Sequence, residues 1–239
     1  MLASVVAPPA NALGNERDST VWGHIFAGQS SIRTFNATTT SGAHLESKSK
    51  FEVTYNNFPA WAQSDIQAAL DVWSANFQSS VPIKVEATWG RSQVYGLLGS
   101  ARPGNYFNNF INAPDPTLWY PSALANALAG RDLDKSNPEI VIQVNSAAAW
   151  DTRNDGKPSG SEYDLQSVFI HEIGHGLGFL STDSYDPFFG YGSIDQPTPY
   201  DAYLQLSDGR RLSDLPSPSV ELGRALTDRK STRLNSSHT

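Results

Sequence analysis

Residues 171–179 read His171-Glu172-Ile173-Gly174-His175-Gly176-Leu177-Gly178-Phe179. Residues four apart lie one turn above each other on an α-helix, so the imidazoles of His171 and His175 would point the same way. Imidazole nitrogens bind zinc at about 2.0 Å, and two of them on one helical turn supply half of a tetrahedral site. The spacing therefore predicts a helix that holds a zinc ion.

Glu172 is the candidate catalytic group beside this histidine pair. It follows His171 directly, so its side chain would lie about 100° further round the helix and would not join the imidazoles as a ligand. From there a carboxylate can reach a water whose pKa zinc has lowered towards ~7. We expect Glu172 to act as a general base that takes a proton from this water and returns it to a leaving amine.

The residues around the motif indicate that its helix is buried. Apolar side chains cover most of the helix circumference: Leu165, Val168, Phe169, Ile170, Ile173 and Leu177. Two imidazoles and a carboxylate buried without partners would cost several kcal/mol, and a metal with its water would supply those partners. The alternative is a chance occurrence of the motif on a solvated helix, and the apolar surroundings argue against it. Gly178 is placed to end the helix in a left-handed conformation.

The composition excludes several classes of protein. The 239 residues include 24 Asp and Glu against 17 Lys and Arg, and the resulting net charge of −7 opposes general nucleic-acid binding. The chain has no Cys, which excludes disulfides, thiolate zinc sites and cysteine nucleophiles. It also lacks the run of about 18 apolar residues that a membrane span needs. With 39% hydrophobic and only 17% charged residues, the chain is expected to be globular.

The region before the motif predicts strands and helices in alternation. Strands are expected at residues 51–55, 82–87, 94–99 and 139–145. An amphipathic helix is expected at 60–77, opened by Pro59, and a shorter helix at 122–130, stopped by its glycine. Residues 105–121 are aromatic, rich in Asn and interrupted by prolines, so we expect a long surface loop there.

The motif helix itself is expected to begin at a capping box, because Ser161 is followed three residues later by Asp164. Beyond the helix, prolines and glycines indicate a loop, and residues 200–206 are expected to form a short strand. This order of elements predicts a layered α+β domain with a twisted mixed sheet, a backing helix and a zinc-binding helix.

Both ends of the chain differ from its body. Residues 1–12 form a short apolar stretch ending in the small-x-small pattern that signal peptidases accept, so a remnant of a secretory signal is expected. Residues 13–50 form a polar segment. Residues 228–238 resemble one reading frame of an adapter oligonucleotide used in DNA sequencing, so 228–239 is expected to be a non-native tail. Residues 51–227 would then be the main domain, incomplete at its C-terminus. The alternative for residues 1–12 is an ordinary apolar N-terminus, and the alternative for residues 228–239 is a native basic tail.

The motif resembles the zinc helix of metzincin-type metallopeptidases, and its His-x-Leu-Gly-Phe ending looks most like the leishmanolysin-like branch and its secreted bacterial relatives. The resemblance extends over about residues 51–227. It implies a zincin-type α+β fold, a Zn²⁺ cofactor held by His171 and His175, and Glu172 as general base. It also implies that the last strand before the helix, residues 139–145, is an edge strand that binds extended substrate in antiparallel fashion.

The chain departs from this family where the third zinc ligand is expected. Compact metzincins place that ligand three residues after the glycine, where this chain has Ser181. The leishmanolysin-like branch places a third His far downstream, followed by a methionine turn. Here no Met follows Met1, and the one later His, His238, lies in the expected non-native tail. We therefore expect the third ligand to follow Thr227 in the natural chain.

Other acidic residues and histidines are weaker candidates for the third ligand. Asp195 and Asp201 are alternatives, since an aspartate-type zincin uses a carboxylate after its helix, but isolated loop aspartates usually serve turns. Glu221 lacks the companion acid four residues later that a gluzincin would need. His24 and His44 are expected to be surface or packing residues.

Two functions are compatible with these residues. The first is a secreted zinc-dependent endopeptidase that hydrolyses bonds of a protein or peptide substrate by metal-activated water, without a nucleic-acid partner or a membrane span. The alternative is a non-catalytic secreted adhesion or binding module that retains a zincin fold. Because two His ligands hold an ion weakly, weak zinc binding and little activity are expected of this chain.

Overall fold

A computed structural model describes residues 14–27, 47–153 and 157–227 of the chain, together with the backbone of residues 232–233. The expected signal remnant at 1–12 and nearly all of the expected non-native tail at 228–239 lie outside the described residues.

The described residues form strands and helices in mixed order. The strands are β1 (Asn15–Asp18), β2 (Gly23–Phe26), β3 (Phe51–Asn56), β4 (Ile83–Gly90), β5 (Leu97–Pro103), β6 (Asn105–Asn108), β7 (Tyr120–Pro121), β8 (Ile140–Asn145), β9 (Ser184–Asp186), β10 (Tyr191–Ser193), β11 (Gln205–Leu206) and β12 (Thr232–Arg233). The helices are α1 (Ala60–Asn76), α2 (Ser122–Ala129), α3 (Leu165–Leu177), α4 (Pro199–Tyr203) and α5 (Val220–Thr227), with one 3₁₀ turn at Leu212–Asp214.

Five strands form the central sheet, in the spatial order β2-β5-β8-β4-β3. β3, β4 and β8 are parallel to one another, whereas β5 runs antiparallel to β8, and β2 antiparallel to β5. Apolar residues of the sheet share one core with those of α1 and α3. The prediction of an α+β fold with a mixed sheet and packed helices is confirmed.

The helices predicted at 60–77 and 122–130 are both present. α1 follows Pro59 and ends at Asn76, one residue before the predicted end, and it buries Ile66, Ala69 and Leu70 in the main core. α2 ends at Gly130, which has a φ of 68° as expected of a glycine stop. Among the described residues, no helix is long and apolar enough to cross a membrane.

The expectation that residues 139–145 form an edge strand is wrong. β8 pairs with β4 on one side and with β5 on the other, so it lies inside the sheet. Its side chains fit this position, because Ile140, Ile142 and Val144 are all buried. Sequence order places β8 last before α3 but does not determine its neighbours, and β5 takes the antiparallel position beside it.

Residues 105–121 do not form a surface loop throughout. β1, β6 and β7 make a small antiparallel sheet there, in the order β1-β6-β7. The segment forms strands because its aromatic side chains are buried. Tyr106 and Phe107 are both buried, and Phe107 packs in a satellite core with Phe110 and Tyr120. Asn and Pro content alone was a poor guide to exposure in this segment.

Other predicted element boundaries also differ from those in the structure. The strand predicted at 94–99 begins at Leu97 and runs on to Pro103. Residues 200–206 form mainly α4 rather than a strand, because Thr198 and Asp201 build a capping box at its start. The polar segment 13–50, to which no secondary structure was assigned from the sequence, contains β1 and β2.

Candidate metal centre

Helix α3 carries the three candidate residues, and its two ends are fixed by local chemistry. Asp164 is the N-cap, with its carboxylate accepting from the backbone N–H of Ser167 at 2.8 Å. The predicted start at Ser161 is therefore three residues too early, since the acid itself caps the helix. At the other end Gly178 has a φ of 113°, the left-handed conformation that was expected.

Gly176 allows α3 to lie close to the sheet. A Cβ built on Gly176 would overlap the side chain of Ile140, which projects from β8. A glycine in a helix interior costs about 1 kcal/mol relative to Ala, so the close approach explains a residue that propensity disfavours. The ring of His175 lies beside a strand as a result, next to Gly23 of β2.

The two imidazoles of α3 converge as the spacing predicted. The Nε2 atoms of His171 and His175 lie 2.9 Å apart. Nδ1 of His175 lies 2.8 Å from the carbonyl oxygen of Phe179, and because a carbonyl only accepts, Nδ1 carries the proton and donates it. A neutral His175 then presents a lone pair at Nε2, which is the orientation that a metal ligand needs.

The two Nε2 atoms are nearly as far apart as two nitrogen ligands of one zinc ion. Two nitrogens at 2.0–2.1 Å from a tetrahedral zinc ion lie about 3.3 Å apart, so the imidazoles would have to open by only about 0.4 Å to bind one. Without an ion, His171 Nε2–H can donate to His175 Nε2, and that proton must leave or move when a metal binds. The donor set and its direction therefore fit a zinc ion.

Glu172 occupies an unusual position for a carboxylate. It is 0% exposed, and its two oxygens have no hydrogen-bond partner among the described residues. Burial raises the pKa of its carboxyl well above the ordinary range. A buried carboxylate left unpaired is costly, so the position is explained best by a partner that comes from outside the protein, such as water or a substrate group.

Two glycines of neighbouring strands make room for these side chains, and sequence reasoning had singled out neither. A Cβ on Gly99 of β5 would lie 3.1 Å from Oε1 of Glu172. A Cβ on Gly23 of β2 would overlap the ring of His175. The one signal in the sequence was the presence of glycine inside a strand, which often marks a close approach of another group.

Among the residues that the structure describes, no third metal ligand accompanies the histidine pair. No group of three or more His, Cys, Asp or Glu side chains able to hold a metal ion occurs within residues 14–27, 47–153 and 157–227. His44 and His238 lie outside the described residues. The exposed His24 is on β2, and Glu221 is an exposed partner of Arg210 at 2.8 Å.

Asp201 and Ser181 have a structural role instead. The carboxylate of Asp201 is fully buried and accepts from the hydroxyl of Ser181, from N and Oγ1 of Thr182, and from N and Oγ1 of Thr198. These bonds tie the chain after α3 to the start of α4. The alternative ligand role for Asp201 has no support here, and the other candidate, Asp195, is exposed.

Comparison of the chain with protein-family models, with curated proteins and with solved structures returned no match.

Proposed function

We propose that this chain is a zinc-dependent endopeptidase that acts outside the cell. The observation that carries the proposal combines two features: the convergent Nε2 atoms of His171 and His175, and a fully buried carboxylate on Glu172 that has no hydrogen-bond partner in the described part of the chain. A metal between the imidazoles and a water beside the carboxylate would satisfy groups that are otherwise costly to bury.

The roles of the residues follow from this geometry. His171 and His175 would hold the ion, and the bond from His175 Nδ1 to Phe179 fixes the orientation of one ligand. A bound zinc ion would acidify water and polarise the carbonyl of the scissile peptide. Glu172 would accept the proton of the attacking water and deliver it to the nitrogen of the departing amine, so that the proton is conserved.

An alternative proposal is a secreted adhesion or binding module that keeps this architecture without catalysis. The observation that favours it is the lack of a third ligand beside the histidine pair among the described residues. Two imidazoles hold zinc less firmly than the three protein ligands of catalytic sites. The expectation that a third ligand follows Thr227 in the natural chain stays a prediction.

Zinc titration of the metal-free chain, followed by competition with a chromophoric chelator, tests the metal site. We expect weak binding that falls more than about tenfold in His171→Ala and in His175→Ala, because each removes a ligand. His24→Ala is the matched control and should leave the affinity unchanged, since its imidazole is exposed on β2. Unchanged binding in the His171→Ala/His175→Ala double variant would refute the site.

Hydrolysis of labelled casein in the same series tests catalysis. Glu172→Ala should retain zinc and lose the residual hydrolysis. Zinc binding that is accompanied by no hydrolysis in the unmodified chain, even at high zinc concentration, would favour the binding module.

A further inference from the structure

The outer edge of β5 is covered by a strand from the N-terminal part of the chain. β5 pairs with β8 on one side and with β2 on the other, antiparallel in both cases. β2 has only four residues, and its register with β5 shifts between Ile25 and Phe26. Without β2, β5 would present unpaired backbone N–H and C=O groups, which are a template for any extended chain.

β2 passes directly beside the candidate metal centre. Ile25 pairs with Gly99, the residue that faces the carboxylate of Glu172. Two residues earlier, Gly23 packs so closely on His175 that a Cβ would overlap Cγ and Cδ2 of the imidazole. The backbone of β2 therefore lies against His175 and pairs with the β5 residue that faces Glu172.

Cation–π contacts hold this N-terminal segment before it crosses the site. In β1, the guanidinium carbon of Arg17 lies 4.6 Å from the ring centre of Tyr106 and 5.0 Å from that of Trp119. Just before β2, Trp22 lies 5.2 Å from the guanidinium carbon of Arg102. Residues 15–26, called the strap below, are thus attached to β6 through β1 and to β5 through β2.

We infer that the strap is an autoinhibitory element, in which β2 takes the edge of β5 that an extended peptide would otherwise occupy beside His175 and Glu172. Extended peptides join sheet edges through backbone hydrogen bonds, and a covered edge excludes them. The inference rests on the proposed peptidase function for its consequence, the block of hydrolysis. Its structural part, competition between the strap and a peptide for one edge, can be measured separately.

Two variants change the fraction of molecules with a released strap in opposite directions. Gly23→Val places a side chain where the ring of His175 lies, so it should release β2 from the site. The double variant His24→Cys/Ser100→Cys joins two residues that are directly opposite in the antiparallel register, a separation that suits a disulfide. Because the chain has no native Cys, this is the only disulfide that oxidation can form within one chain, and the oxidised monomer, separated by size-exclusion chromatography, has β2 locked onto β5.

The probe is a fluorescein-labelled peptide with the sequence of residues 15–26, and its binding is measured by fluorescence anisotropy. Gly23→Val should bind it at least about tenfold more tightly than the unmodified chain, because the apparent affinity rises with the fraction of open molecules. The oxidised double variant should not bind it, and reduction should restore binding to that of the unmodified chain. A probe peptide carrying Gly23→Val should bind weakly to every form.

Equal peptide binding by Gly23→Val, the unmodified chain and the oxidised double variant would overturn the inference, because β2 would then be a permanent strand. If circular dichroism shows that Gly23→Val is unfolded, the comparison of oxidised with reduced protein decides alone. Zinc-dependent hydrolysis at an equal rate in all forms would refute the autoinhibitory role of the strap and support the peptidase function. If peptide binding follows the expected order but no form hydrolyses the substrate, the competition between the strap and a peptide is supported and the peptidase function is refuted.

Discussion

Gly99 on β5 lies directly against the carboxylate of Glu172 on α3, so that a Cβ on Gly99 would stand 3.1 Å from Oε1 and 3.2 Å from Cγ. The buried acid thus sits in a space that exists because one strand residue has no side chain. Glycine weakens a strand interior, so its presence here is explained by the neighbour it accommodates.

Gly99→Ala is expected to lower the free energy of unfolding by about 1–3 kcal/mol, because the added methyl group meets both Glu172 and Val168 at less than a normal contact distance. Urea denaturation followed by tryptophan fluorescence measures the change. Gly90→Ala is the matched control on β4, where the nearest atom to a new Cβ is Cγ2 of Thr88 at 3.9 Å. A loss as large in the control as in Gly99→Ala would contradict the packing argument.

Asp201→Asn is expected to destabilise the chain by about 2–4 kcal/mol, because an amide cannot accept all of the bonds that the buried carboxylate accepts from Ser181, Thr182 and Thr198. The same variant should leave zinc affinity unchanged. Urea denaturation and chelator competition measure the two effects, and the exposed Asp195→Asn is the control. A large loss of zinc affinity at unchanged stability would restore Asp201 as a ligand.

The sequence predicted features that depend on residues close together in the chain. It missed contacts between residues that are far apart in the sequence. The helical spacing of His171 and His175 and the glycine stop at Gly178 are local signals, and the structure shows both features. The contacts of Gly99 with Glu172 and of Gly23 with His175 join distant segments, so no periodicity could reveal them. The wrong edge assignment for residues 139–145 has the same cause, because the order of strands in a sheet is a tertiary property.

Asp65 is expected to make stability depend on pH. It is 2% exposed, and burial, with smaller effects from Asp164 and Asp151, raises the pKa of its carboxyl from 3.8 to about 6. Between these two values the folded state binds more protons than the unfolded state, so stability falls as pH rises through this window. Below pH 3.8 the penalty is absent, and above about pH 6 it is complete.

Asp65→Asn removes this titration, so its stability relative to the unmodified chain should rise between pH 4 and pH 7 by at most about 3 kcal/mol, at 1.36 kcal/mol for each pKa unit. Urea denaturation at the two pH values measures the difference. Asp71→Asn, at an exposed position of the same helix, controls for the loss of one negative charge. An equal effect of Asp65→Asn at both pH values would show that the carboxyl is not perturbed by burial.

Gly176 and Gly174 should respond in opposite ways to the same substitution, although both lie in α3 beside His175. A Cβ on Gly176 would overlap Ile140, whereas a Cβ on Gly174 would touch Trp73 at an ordinary 3.4 Å. Gly176→Ala is therefore expected to destabilise by about 2–3 kcal/mol. Gly174→Ala should be neutral or should stabilise by up to about 1 kcal/mol, since alanine is the better helix former.

The overlap itself can be isolated by a double-mutant cycle of Gly176→Ala with Ile140→Ala. Ile140→Ala alone should cost about 2–5 kcal/mol, because it leaves a cavity in a fully buried position. In the double variant the new methyl group of residue 176 enters that cavity, so the combined loss should be smaller than the sum of the two single losses by at least about 1 kcal/mol. Additive losses would mean that the two side chains do not meet, and the glycine would then owe its place in α3 to something other than the approach of the helix to β8.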